Sequence, residues 1–287
     1  MSFLPSLLTD TFGAYTIGTF VSSILLGVTC FQTWSYFNKY SDPPLVKFTV
    51  GALLALEMLH VVVSIHALYH YLISNYFNPF GLLQDIWSIN ILFGIIGVIV
   101  LLVHLLYAMR IYHVSGRKKL IPLAISFVSL GHCALGWVLA GLLFRRTLES
   151  EILGDPLLHG IAKAILGSAA AIDMTITFTL SYYLHKNRTG IKQTDKLINR
   201  LMVITINNGV LTSTLDIATL VLVIVRSKDL LFFALSQVLA TLYSNSLLGT
   251  LNSRESLKES QERDVVASST LLSINFGTRT ATGRDET

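Results

Sequence analysis

The stretch ILFGIIGVIVLL, residues 91–102, contains no charged and no strongly polar side chain. It does not alternate apolar and polar residues, as a strand of a membrane β-barrel would. Predominantly apolar residues continue on both sides, and residues 86–111 are enough for a helix to cross a hydrocarbon core about 30 Å thick. Because a helix satisfies its own backbone hydrogen bonds in lipid, we predict a transmembrane helix here.

Six further stretches have the same character, and together the seven occupy most of the chain. Of the 287 residues, 52% are hydrophobic and 13% are charged. Soluble domains have about 25% charged residues, so this composition excludes an ordinary soluble domain. The sequence predicts an all-α polytopic membrane protein, a bundle of seven transmembrane helices. The predicted spans are residues 11–34, 47–71, 86–111, 121–144, 161–184, 204–225 and 230–248.

The distribution of Lys and Arg predicts the orientation of the bundle, because cytoplasmic loops near membrane ends carry an excess of basic residues. Sixteen of the 21 Lys and Arg residues fall on the side of the carboxyl terminus, and five on the other side. We therefore expect the amino terminus outside and the carboxyl terminus in the cytoplasm. Residues 1–10 lack the features of a signal peptide, so we expect the first span to remain and to act as the targeting element. The expected location is the plasma membrane or another membrane of the secretory pathway.

Composition divides the chain into two parts. Residues 1–251 form the predicted seven-helix transmembrane domain, and residues 252–287 form a predicted disordered cytoplasmic tail. The tail has no apolar periodicity and is rich in Ser, Thr, Arg, Glu and Asp. The predicted orientation also places the glycosylation signal at residues 187–189 in a cytoplasmic loop, so we expect no glycan there.

Ionisable residues inside the spans are the candidates for a functional site. Each costs at least about 2.5–3.5 kcal/mol at the centre of a helix in lipid. Those near the middle of their spans are Glu57, His60, His132, Asp173 and Asp216. We expect their side chains to converge inside the bundle, with the histidines among the partners of the carboxylates. Two interpretations stay open: the residues bind a ligand, a proton or an ion at mid-membrane, or they only hold the helices together.

Other polar and small residues are interpreted as packing groups. His104, toward the inner end of the third span, is interpreted as a packed or interfacial group, and residues 243–246 as a polar surface near the inner end of the last span. Small residues precede both Asp173 and Asp216. Small residues let helices approach closely in lipid, which predicts contact between the fifth and sixth helices.

Several motifs, taken together, are similar to those of a known family. They are NRTGIK (187–192), LINRL (197–201), NGVLTS (208–213) and LYSNSLL (242–248) followed by LNSR (251–254). On these residues the chain resembles a family of fungal, basidiomycete-type seven-span integral membrane proteins defined by a domain of unknown function. The resemblance implies the fold, a fungal origin and membrane residence. It implies no reaction, ligand or catalytic residue.

The expected function follows from topology. A seven-helix bundle with an outside amino terminus and basic inner loops has the layout of a heptahelical receptor, so we expect a receptor-like sensor. The alternative is a small transporter or proton-coupled carrier that uses Glu57, Asp173 and Asp216. We expect no enzymatic activity, no catalytic residue, no metal site, no cofactor and no binding of nucleic acid. The expected partners are the lipid bilayer, a small-molecule ligand, and a cytoplasmic partner that contacts the inner loops and the tail.

Overall fold

The computed structural model describes residues 12–76, 78, 81, 84–145, 155–188, 190, 192–226 and 231–253. These residues form seven long helices, and no β-strand occurs among them. The last turn of the second helix, His70–Ser74, is a π-helix. The helices are α1 (Ala14–Lys39), α2 (Pro44–Ser74), α3 (Trp87–Val114), α4 (Leu120–Leu143), α5 (Pro156–Lys186), α6 (Lys192–Val225) and α7 (Leu231–Ser253).

All seven helices are long and apolar enough to cross a membrane, which confirms the predicted fold class. The helices extend beyond several of the predicted spans: α6 begins at Lys192, although the predicted span begins at residue 204. Hydropathy identifies the part that crosses lipid, whereas backbone hydrogen bonding continues into polar flanks. At the start of α5, the Asp155 carboxyl accepts a hydrogen bond from Leu157 N at 2.9 Å, and Pro156 occupies the first turn, where it removes no helical bond.

The outer surface of the bundle is strongly apolar. Large hydrophobic side chains are exposed on helix faces that point away from the other helices, including Phe20, Ile24, Phe48, Phe127 and Phe178. A soluble protein would bury these side chains, whereas a lipid bilayer solvates them. The surface therefore indicates a lipid bilayer as the environment of the protein.

Among α1 to α6, neighbouring helices pack mainly in sequence order. The most extensive contacts within this set are between α3 and α4 and between α5 and α6. The predicted contact between the fifth and sixth helices is thus confirmed. Gly209 of α6 lies directly against the Thr177 side chain of α5, where a Cβ atom would clash. A glycine at this position lets the two helices approach closely.

Helix α7 occupies a central position, because its polar side chains contact several other helices. Gln237 and Asn245 reach α1, Ser244 reaches α2, and Tyr243 reaches α5 and α6. The approach to α1 is especially close at Gly18, where a Cβ atom would lie 2.8 Å from the Ala234 carbonyl oxygen. Polar groups on successive faces of α7 therefore meet different neighbours.

Three sequence predictions concern residues outside those described. The first concerns the cytoplasmic tail, which is outside the described residues from residue 254 onward. The second concerns the amino-terminal segment, of which residues 1–11 are outside, and the third concerns the glycosylation signal, of which Thr189 is outside. The orientation of the termini stays a prediction.

Candidate functional site: a polar cluster around Tyr243

The hydroxyl of Tyr243 joins the two aspartates predicted from the sequence. It lies 2.9 Å from Asp173 Oδ2 and 2.8 Å from Asp216 Oδ2. A phenol carries one proton, so it can donate to one carboxylate only. The Tyr243 hydroxyl lies within hydrogen-bond distance of both carboxyl groups and so bridges α5 and α6.

His104 of α3 completes the pairing of Asp173. Its Nε2 lies 3.2 Å from Asp173 Oδ1, and its Nδ1 lies 3.1 Å from Ser129 Oγ of α4. The imidazole is fully buried and meets the Tyr243 ring edge to face, with centroids 5.7 Å apart. His104 is a packed group, as interpreted from the sequence, and the buried face of α3 also turns it toward Asp173.

His132 lies at the margin of the same group. Its Nδ1 is 3.1 Å from Ser168 Oγ of α5, and its ring centroid is 6.4 Å from that of His104. We call Asp173, Asp216, Tyr243, His104 and His132 the Tyr243 cluster. It draws side chains from α3, α4, α5, α6 and α7.

Glu57 and His60 lie in a different place. Ser244 Oγ donates to Glu57 Oε1 at 2.5 Å, so Glu57 contacts the residue that follows Tyr243. Successive residues on a helix point about 100° apart, so Tyr243 and Ser244 occupy different faces of α7. Neither ring nitrogen of His60 has a hydrogen-bond partner among the described residues. His60 therefore makes no direct hydrogen bond to a carboxylate within the part of the chain that the structure describes.

Sequence reasoning missed His104 and Tyr243 as members of the cluster. The polar run at residues 243–246 was the available signal, but a phenol is amphipathic and often marks only the membrane interface. Which of several adjacent polar residues faces the acids depends on the rotation of α7. Periodicity within one helix does not fix that rotation relative to its neighbours.

A narrow apolar cleft leads to the Tyr243 cluster from one end of the bundle. Its first part has a volume of about 70 Å³ and includes Asp85 and Asn90 near the end of the helices. Its second part, of about 50 Å³, includes Asp216, His132 and Tyr243. The two parts adjoin, since both are lined by Phe93, Leu139, Ala162 and Phe232.

Further cavities approach the cluster from the opposite end. A small one of about 20 Å³ is lined by Asp173, Tyr243 and Tyr107. Tyr107 also lines a larger cavity of about 320 Å³, together with Arg110 and His113. The Tyr243 cluster thus separates an apolar cleft at one end from a more open cavity at the other.

Fold and surface together define an integral membrane protein with seven spanning-length helices. Residues 169–256 match a family of unknown function, DUF6534. The matched segment covers most of α5 and all of α6 and α7, and therefore contains Asp173, Asp216, Tyr243 and Ser244. No curated protein and no solved structure matches the chain.

Proposed function

We propose that the protein is a receptor-like heptahelical sensor, a binding protein and not an enzyme, whose ligand site lies at the Tyr243 cluster. The observation that carries this proposal is the cleft whose two adjoining parts extend from Asp85 and Asn90 to Asp216 and His132. Its walls are apolar and its inner end is polar, which is the usual composition of a small-molecule site.

The composition of the cleft indicates the class of ligand. The walls suit an apolar body, whereas Asp216 Oδ1 has no hydrogen-bond partner among the described residues and belongs to a side chain that lines the cleft. This oxygen would accept a hydrogen bond from the ligand. We therefore propose a small amphipathic ligand with one donor group, either a hydroxyl or an amine.

The size of the cleft supports a sensor, because ligand binding must alter helix packing. Pockets for drug-sized ligands have volumes of about 300–1,000 Å³, and the two parts of the cleft offer about 70 and 50 Å³. A ligand could enter only if helices around the cleft moved apart. It would then favour one packing arrangement over another, which is the thermodynamic basis of a ligand-driven switch.

We propose the predicted orientation for this function, with the Asp85 end outside and the Arg110 end in the cytoplasm. A cytoplasmic partner would then read the change at the cavity lined by Arg110, His113 and Leu247. The excess of Lys and Arg on that side supports this assignment. We also propose residence in the plasma membrane or another secretory-pathway membrane, and membership over the whole chain of the fungal seven-span family.

A thermal-shift screen on the full chain in lipid nanodiscs tests the proposal. The probes are small amphipathic alcohols and amines, and we expect hits to stabilise the wild type. The stabilisation should be lost in Asp216→Asn and in Ala162→Phe, which fills the shared part of the cleft. It should persist in Glu57→Gln, the matched carboxylate control, because Glu57 lies on α2 against the other face of α7. Stabilisation that is lost in Glu57→Gln but kept in Asp216→Asn would refute this site.

The alternative function, a small transporter or proton-coupled carrier, is favoured by one observation. The Tyr243 cluster separates cavities that approach it from opposite ends, as a gate in a transport path would. Proteoliposomes loaded at different pH on the two sides distinguish the functions. Uptake of a screening hit that follows the proton gradient and is lost in Asp173→Asn would favour the carrier. Binding without uptake would favour the sensor.

A further inference from the structure

Three buried helix faces meet at a second polar region, distinct from the Tyr243 cluster. On each helix the side chains recur at the spacing of one helical face. We call this region the Glu57 junction. Its members are Tyr15, Thr19 and Ser22 on α1, Glu57, His60 and Ser64 on α2, and Gln237, Thr241 and Ser244 on α7.

Three hydrogen bonds between these helices show which of their residues lie at the same depth in the bundle. Tyr15 donates to the Ser64 carbonyl at 3.2 Å, and Ser244 donates to Glu57. Thr19 Oγ1 lies 3.3 Å from Gln237 Oε1. His60 lies between Glu57 and Ser64 on α2, and so lies between the two outer contacts.

Several other polar atoms of the junction are buried and have no partner among the described residues. Ser22, His60 and Gln237 are 0% exposed. Ser22 Oγ, both ring nitrogens of His60, Gln237 Nε2 and Glu57 Oε2 have no hydrogen-bond partner among the described residues. An unpaired polar group costs several kcal/mol in an apolar environment, so a concentration of such groups from three helices points to a bound guest.

The mixture of groups identifies the guest. Glu57 Oε2 accepts, the Gln237 amide nitrogen donates, the Ser22 hydroxyl does both, and a neutral imidazole offers one donor and one acceptor. A metal cation would require acceptors only, and an anion would require donors only. Water satisfies both kinds of group and commonly bridges buried side chains of this type.

We propose that the Glu57 junction is a hydrated proton site, in which bound water links the Glu57 carboxyl to the His60 imidazole. The proton leaves Glu57 Oε2 for the bridging water, and the water releases one of its own protons to a ring nitrogen of His60. No other reactant is needed, and the pair changes from neutral to a carboxylate with an imidazolium.

The titratable groups of the neighbouring helices can be placed relative to this pair within the described residues. Tyr15 is the titratable side chain that α1 brings into the junction. On the neighbouring helices, Tyr243 of α7 and His104 of α3 are turned toward Asp173 instead.

Access from the Arg110 end follows the seam between α1 and α7. Further buried atoms without a partner lie along it, namely Gln32 Oε1, Thr33 Oγ1, Asn245 Oδ1 and Asn252 Oδ1. Asn252 also donates to the Gln32 carbonyl at 2.8 Å, so both helices contribute to this seam near their carboxyl ends. Water along the seam would connect the junction to that side of the membrane.

Infrared spectroscopy of the full chain in lipid tests the proposal. We expect a carboxyl C=O band that is absent from Glu57→Gln, shifts promptly when H₂O is replaced by D₂O, and loses amplitude as the pH is raised. Asp216→Asn serves as the control and should keep this band. A Glu57 band that does not shift in D₂O, or no band assignable to Glu57 at any pH, would overturn the proposal.

A milder pair of variants keeps the test valid if Glu57→Gln does not fold. Ser22→Ala removes a proposed water ligand, whereas Ser23→Ala removes a hydroxyl that bonds to the Thr19 carbonyl of its own helix, at 2.8 Å. The band of bound water in the O–H stretching region should weaken in Ser22→Ala and not in Ser23→Ala. Equal spectra for the two variants would contradict a hydrated junction.

Discussion

Tyr243 and Ser244 are neighbours in sequence, yet the polar regions that they face differ in one respect. On the Tyr243 side, each Asp173 oxygen and both His104 nitrogens have a partner. On the Ser244 side, Glu57 keeps one oxygen unpartnered and His60 keeps both nitrogens unpartnered, among the described residues. The same helix thus borders one polar network in which most of these atoms are paired and another in which several are not.

The difference helps to decide whether buried ionisable residues hold the helices together or bind something. A network whose members satisfy one another holds helices in place, and removing a member leaves its partner unpaired. A network with unpaired members has capacity for water, a proton or a ligand. Asp216 belongs to the first region but retains one unpartnered oxygen, and that oxygen belongs to a side chain on the cleft.

The largest expected effect is that of Tyr243→Phe, which removes the hydroxyl shared by Asp173 and Asp216. We expect a loss of about 2–4 kcal/mol in stability, since each buried acceptor left unpaired costs about 1–3 kcal/mol. Thermal unfolding in a lipid-like environment measures it. Tyr182→Phe is the matched control, because Tyr182 is 61% exposed on α5. An equal effect of the two variants would mean that the cluster does not hold the helices together.

The second prediction concerns the wall of the Glu57 junction. In Gly18→Ala the new Cβ would lie 2.8 Å from the Ala234 carbonyl oxygen, so α1 and α7 must separate. Overpacking of this kind costs about 1–3 kcal/mol. Gly27 lies on the same helix, and a Cβ atom added there would have no atom within 4 Å. We therefore expect Gly27→Ala to be neutral or stabilising. A destabilising Gly27→Ala together with a neutral Gly18→Ala would place the α1–α7 contact elsewhere.

Ser244→Ala compares the two faces of α7 directly. It removes the hydrogen bond to Glu57 Oε1, and we expect a loss of about 0.5–1.5 kcal/mol in unfolding free energy. The loss is smaller than for Tyr243→Phe because water in the junction can take over the freed oxygen. Ser236→Ala controls for the loss of a hydroxyl, since Ser236 bonds to the Phe232 carbonyl of its own helix. A loss as large as that of Tyr243→Phe would remove the distinction between the two faces.

The fold was predictable from the sequence because lipid imposes a length and a composition on each spanning helix. Residues 91–102 alone indicate α3, and the same criterion finds the other six helices. The polar flanks of α6 were not predictable in this way, because hydropathy does not detect helix outside lipid. The contact between α5 and α6 was predictable from small residues, since close approach depends on local side-chain size.

The arrangement of the polar residues was less predictable. Depth along a helix follows from counting residues, so Glu57, Asp173 and Asp216 were all located near mid-span. Their partners depend on how each helix is rotated and on its neighbours, and these properties depend on the whole bundle. Pairing by charge alone favoured His60 as a partner of the acids. The structure instead gives that place to His104 and a tyrosine hydroxyl.

The smallest expected effect is that of Asp85 at the mouth of the cleft. Asp85 lies away from the Tyr243 cluster and the Glu57 junction, so its effect provides a reference for both. Burial raises the pKa of Asp85 above 3.8, although hydrogen bonds from the Asn90 side chain and the Ile86 backbone oppose the shift. With a raised pKa in the folded state, Asp85 contributes stability at low pH that is lost as the pH rises through that pKa. In Asp85→Asn this part of the pH dependence should vanish, and thermal unfolding between pH 4 and pH 8 measures the slope. Asn90→Ala, which removes the opposing hydrogen bond, should move the loss to higher pH. If Asp85→Asn retains the slope of the wild type, the pH dependence arises elsewhere in the chain, and the buried groups of the Glu57 junction become the first to examine.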